Sequence, residues 1–133
     1  MKRKFLFTGL LVFAVLSSST AYAKIDEVNS SISLGRETTL KHSAKFSSKT
    51  VSTVTCERID VMSNIYMNYK KQGSTENMSN YRAKTVSLSG EREVVSPTKE
   101  AYWEIHSNHR EYAKDETIET DRTNSSDDMI WRP

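Results

Sequence analysis

Ala101-Tyr102-Trp103-Glu104-Ile105-His106 is the stretch that decides the fold. Ala101, Trp103 and Ile105 are apolar, and they alternate with Tyr102, Glu104 and His106. Successive side chains of a strand point to opposite faces, so the hexapeptide reads as a strand with one face on a core and one in water. The competing reading is a charged helix over residues 99–114, built on Glu100, Glu104, Glu111 and Lys114. Aromatic and β-branched residues at 102–105 favour the strand.

The same alternation extends outward. Ile65, Met67 and Tyr69 share one face of residues 64–70, and Asn64, Asn68 and Lys70 share the other with Tyr66. Turn-forming residues fill 71–77. Residues 81–89 then alternate Arg82, Lys84, Val86 and Leu88 with Tyr81, Ala83 and Thr85, which predicts a hairpin with a long loop. Residues 38–46 and 49–58 give two more strands, and 117–123 a short polar one. Residues 124–128 read as loop, and 129–131 as a last strand or an apolar plug. Pro97 caps the loop before the 101–106 strand. No window sustains an apolar stripe at helical spacing over three turns. The pattern predicts an all-β chain, a small immunoglobulin-like β-sandwich of about six or seven short antiparallel strands. With so few glycines and prolines, its turns must rest on Asn, Asp and Ser.

The amino end reads differently. Lys2, Arg3 and Lys4 precede an apolar run over residues 5–16, and small residues lead to Ala21-Tyr22-Ala23. This is the form of a secretory signal peptide over residues 1–23, cleaved between Ala23 and Lys24. The run is well short of the roughly 20 apolar residues a spanning helix needs. Residues 24–36 hold few large apolar side chains and read as a flexible amino-terminal arm, leaving 37–133 as a single β domain.

Cleavage removes three of the 19 Lys and Arg and none of the 17 Asp and Glu, so the formal charge of +2 becomes slightly negative. The remaining charges are interspersed, as in Lys114-Asp115-Glu116, and offer neither nucleic acid nor an anionic membrane a basic stripe. Cys56 is the only cysteine, so no internal disulfide supports the fold. Its setting, Thr53-Val54-Thr55-Cys56-Glu57, reads as a small buried side chain in a strand.

No catalytic, cofactor or metal signature is legible. Serine is too common here for any one to be informative, and no Gly-x-Ser-x-Gly elbow occurs. His106 and His109 are the first place to look for a metal, but in a strand their odd spacing sends them to opposite faces. Tyr66, Tyr102 and Tyr112 fall on nominally polar faces, where tyrosine supplies recognition area at low entropic cost.

Three stretches carry a resemblance: Tyr66-Met67-Asn68-Tyr69-Lys70-Lys71, Val86-Ser87-Leu88-Ser89, and residues 101–109, together with Glu119-Thr120. In these the chain resembles small secreted β-rich proteins of unknown function from Gram-positive bacteria. The resemblance implies an extracellular, immunoglobulin-like single domain with no assigned activity. The expectation is therefore a secreted, non-catalytic module, monomeric or weakly oligomeric, that binds a protein or cell-surface partner and needs no cofactor. Two alternatives stand beside it. One is a small secreted enzyme using His106 or His109 with nearby carboxylates, and the other is a structural protein whose copies are linked through Cys56.

Overall fold

One strand of 27 residues, Lys41–Met67, organises the molecule. The structure is a computed structural model that describes residues 23–38, 41–95 and 99–133. The expected signal segment lies outside the described residues except for Ala23 at its end, and so does Pro97. In chain order the strands are β1 (Ile25–Thr38), β2 (Lys41–Met67), β3 (Lys70–Lys71), β4 (Glu76–Val95), β5 (Ala101–Tyr112) and β6 (Asp121–Trp131). The chain is all-β and its hydrogen-bonded pairs are antiparallel, as the alternation predicts. No helix occurs among the described residues.

One edge of β2 is shared by two strands. β1 takes residues 41–52 and β5 takes 58–67, while β4 lines the other edge from Lys41 to Ser63. The change of partner falls where the β2/β4 register shifts between Val51 and Cys56. There Thr53 N–H bonds to Lys24 O and Glu57 N–H to Ala113 O, and Arg82 on β4 takes a left-handed φ of 51°. Extra residues on one strand of a pair bend it and raise its twist. The bend curls the sheet until β6, paired to the outer edge of β5, lies beside β1 and runs in the same direction. Side chains close this seam: Asp121 accepts Ile25 N–H and Asp127 accepts Ile32 N–H, both at 2.9 Å. Arg36 reaches Arg132 O at 3.0 Å.

The curled sheet presses its inner face on itself in a sandwich-like way. Ile59, Val61, Ile65, Val86, Trp103, Ile105 and Trp131 form the centre of the core. Gly90 has a specific part in it. Paired with Phe46 across β2 and β4, it leaves room for the ring, and a Cβ there would lie 2.4 Å from Phe46 Cζ. Gly90→Ala is expected to cost about 1–3 kcal/mol by displacing that ring. Denaturant unfolding measures it, and an unchanged midpoint would show that the ring does not sit on the glycine.

Several elements differ from their sequence reading. Residues 24–36 are not a flexible arm: from Ile25 onward they belong to β1 and pair along β2. Its inward positions include Ser30 beside Ile32 and Leu34, so the polar residues are part of the strand's buried face. The two strands expected at 38–46 and 49–58 are, from Lys41 onward, one continuous stretch of β2: its pairing with β4 runs unbroken through residues 46–49, and the bulge falls later, between Val51 and Cys56. Residues 124–128 are not loop but the middle of β6, paired with β5 from Glu104 to Asn108. Arg82 and Lys84 are exposed while Val86 and Leu88 are buried, since the left-handed residue and the bulge interrupt the alternation there. The strands are also less uniformly short than the pattern suggests, with β2 at 27 and β4 at 20 residues.

Candidate functional site

The parity of β5 sorts its chemistry. Odd-numbered side chains from Ala101 to Glu111 point inward and are buried, whereas His106 is exposed. His106 and His109 therefore face opposite sides of the sheet. Among the described residues, no group of three or more His, Cys, Asp or Glu converges as metal ligands would.

The inward set builds a buried polar core around His109, which has no exposed surface. Its Nδ1 lies 2.7 Å from Thr50 Oγ1 and its Nε2 2.6 Å from Ser125 Oγ. Ser125 meets Ser30, Ser30 donates to Ser107 at 2.7 Å, and Ser107 meets Ser63 at 2.7 Å. This chain of hydroxyls joins β1, β2, β5 and β6 and satisfies groups that would be costly to bury alone. Burial pushes the His109 pKa down to about 4, so the imidazole is neutral near pH 7. Ser125 and His109 have the spacing of a nucleophile and its base; Ser125 is half-buried, lines an open cleft and also meets Ser30, so its hydroxyl links β6 to both β5 and β1.

Deeper along the same face, the buried Glu111 carboxylate accepts bonds from Ser52, from Cys56 Sγ at 3.5 Å and from Thr120 Oγ1 at 3.0 Å. Cys56 is 1% exposed and carries a free thiol whose pKa burial raises. A link to a second copy through Cys56 would require β2 to open. Tyr112, expected on an open face, is buried beneath Arg58, whose guanidinium carbon stands 3.8 Å from the ring centroid.

The outward set is the candidate site. Even-numbered residues of β5 share a face with Asn64 and Tyr66 of β2 and Asn124, Ser126 and Asp128 of β6, brought side by side by the register. These side chains brace one another. Tyr102 donates its hydroxyl to Asp128 at 2.6 Å, and this bond raises the phenol pKa to about 12. His106 Nε2 stands 3.0 Å from Glu104, with its ring edge-on to Tyr66 at 5.5 Å between centroids. Asn108 donates to Asn124 at 3.0 Å and accepts from Arg110 at 3.2 Å. Two open clefts meet at His106. One, of about 460 Å³, runs over Asn64, Asn108 and Arg110, and the other, of about 330 Å³, over Tyr66, Tyr69 and Glu104.

Tyr69 completes this face from a turn. β2 and β3 are joined by Asn68 and Tyr69 alone, with Met67 paired to Lys70. Both turn residues have positive φ, 49° and 66°, as a two-residue hairpin whose twist matches its strands requires. Asn68 suits the first position, and glycine is the usual occupant of the second. Asn68 also bonds Tyr102 both ways, its N–H to Tyr102 O at 2.7 Å and its Oδ1 from Tyr102 N–H at 2.8 Å. That fixes the turn on β5 and holds Tyr69 5.4 Å from the Tyr102 ring while leaving it 81% exposed. Alternation by itself places Tyr69 on the inward face with Ile65 and Met67. Asn68 beside a hairpin's expected end was the available signal that the strand stops first.

No family model and no curated protein matches the chain. Among solved structures, the chain is similar to a putative beta-galactosidase from Bacteroides fragilis at 10% identity and a TM-score of 0.48. That match covers 78% of this chain and 17% of the other. It is also similar to a protein from Archaeoglobus fulgidus at 11% identity and a TM-score of 0.40, covering 82% of this chain and 97% of that one. The chain thus spans about a sixth of the first protein's length. Neither likeness transfers an activity.

Proposed function

We propose that this chain is a secreted, non-catalytic binding module that meets an extracellular or cell-surface partner through the outer face of β2, β5 and β6. The observation that carries the reading is Tyr69. A large aromatic side chain in left-handed backbone costs of order 1–3 kcal/mol, and here the ring gains little burial in return. Such strain is characteristic of functional positions. The ring stands at one end of a braced row of polar side chains, the arrangement of a contact surface that is ordered before its partner arrives.

Secretion is supported by the basic, apolar and small-residue sequence of residues 2–23. Amino-terminal sequencing of exported protein is expected to begin at Lys24, and recovery of the intact chain in the membrane fraction would contradict it. The binding reading is tested by retention of labelled residues 24–133 on the envelope of the exporting cell. Wild type is expected to be retained and a Tyr66→Ala, His106→Ala double variant to wash off. Equal retention of the two would remove the outer face as the contact surface.

A further inference from the structure

We infer that the ligand of this face is an uncharged carbohydrate chain, an inference that rests on the binding reading above. The polar groups offered are the amides of Asn64, Asn108 and Asn124, the imidazole of His106 and the carboxylates of Glu104 and Asp128. These are donors and acceptors at short intervals, suited to adjacent hydroxyl groups. The carboxylates of Glu104, Asp128 and Glu119 are matched on this face by Arg110, by Arg122 directly across from it and by Lys71 across from Tyr66, so the charges balance and no basic patch is offered to phosphate, sulfate or nucleic acid.

The tyrosines supply the other requirement. A sugar ring has apolar C–H faces as well as hydroxyl edges, and an exposed aromatic ring receives those C–H groups while neighbouring polar side chains take the edges. Tyr66, Tyr69 and Tyr102 stand at one end of the row and Arg110 at the other. Along β5, residues 102 to 110 span on the order of 27 Å, which accommodates several linked sugar units lying along the strand. A protein partner fits less well, because stable protein interfaces centre on desolvated apolar anchors. This face presents braced amides and acids at that centre.

The bracing also bears on affinity. Tyr102, Glu104, His106, Asn108 and Arg110 are each already hydrogen-bonded to a neighbour on the same face. Little side-chain entropy remains to be lost when a ligand docks, which compensates for the few apolar contacts.

The experiment is a two-dimensional NMR titration of ¹⁵N-labelled residues 24–133. The probes are neutral cello-, xylo-, malto- and chito-oligosaccharides, with polygalacturonate as the anionic comparison. At least one neutral series is expected to shift the amides of residues 64–69 and 102–110 at millimolar sugar. Tyr69→Gly should weaken that binding about tenfold or more, the loss of one stacking ring, with polygalacturonate leaving the same amides unmoved. Absence of shifts from every neutral series, or stronger binding of the anionic polymer, would overturn the carbohydrate assignment. In that event, envelope retention that still depends on Tyr66 and His106 would leave the binding module standing with a protein partner. Loss of that dependence would remove both readings.

Discussion

Trp103→Ala is expected to destabilise the fold by about 3–5 kcal/mol, the range for truncating a large buried aromatic side chain. Trp103 has no exposed surface, and its loss would do more than open a cavity. Its indole N–H donates to His42 Nε2 at 3.0 Å. His42 is itself fully buried, stacked on Trp131 at 4.2 Å and edge-on to Trp103 at 5.8 Å. Alanine would therefore also strand a ring nitrogen in the interior, adding the cost of an unpaired polar group. Against a total of about 5–15 kcal/mol for an ordinary domain, such a loss is large. His106→Ala, on the exposed face of the same strand, is expected to stay within about 0.5 kcal/mol of wild type. Denaturant unfolding of both variants decides it, and the reverse order of effects would mean that the two faces of β5 are exchanged.

Acid is expected to weaken the fold before any carboxylate outside the core matters. His109 is neutral in the folded chain, and burial holds its pKa down at about 4 against the ordinary 6.5. As the pH falls below about 6.5 the unfolded chain takes up a proton that the folded chain refuses, so stability declines until about pH 4, where the folded ring protonates too. The full loss from this one group is about 3 kcal/mol. His42, whose pKa burial also lowers, adds to it in the same direction. Asp115 and Glu119 are held below the ordinary carboxylate range by Thr117 and Arg122, but they lie near the surface and act at lower pH. Urea unfolding at pH 7 and pH 4.5 measures the decline. His109→Gln should flatten it, because the amide can still meet Ser125 without titrating. An equally steep decline in that variant would place the acid sensitivity elsewhere.

The parts of the molecule legible in its sequence are those where burial and hydrophobicity coincide. β5 is the clearest case, since each apolar residue from Ala101 to Ile105 is buried and each alternate residue is outward. Cys56 was readable for the same reason. β1 and β6 were not, because their inward positions carry Ser30, Ser125 and Asp127, whose partners come from other strands about 95 residues away in the chain. Period-two reasoning counts such residues as solvent-facing. His109 shows the same limit: nothing local reveals that Thr50 and Ser125 will enclose it. At the outer face, Tyr66, Tyr102 and His106 were visible from alternation alone. Alternation puts Tyr69 on the wrong side, because a strand's end is set by turn geometry rather than by the pattern leading to it.

Tyr69→Gly tests the central claim most directly, since glycine relieves the left-handed strain and removes the ring. Some gain is offset by glycine's greater freedom in the unfolded chain, of about 0.4–1 kcal/mol, and by the lost contact with Tyr102. The thermal midpoint is expected to equal or exceed that of wild type, while retention of the variant on cell-envelope material falls to background. A variant that is clearly less stable, or one that binds as wild type does, would contradict the account.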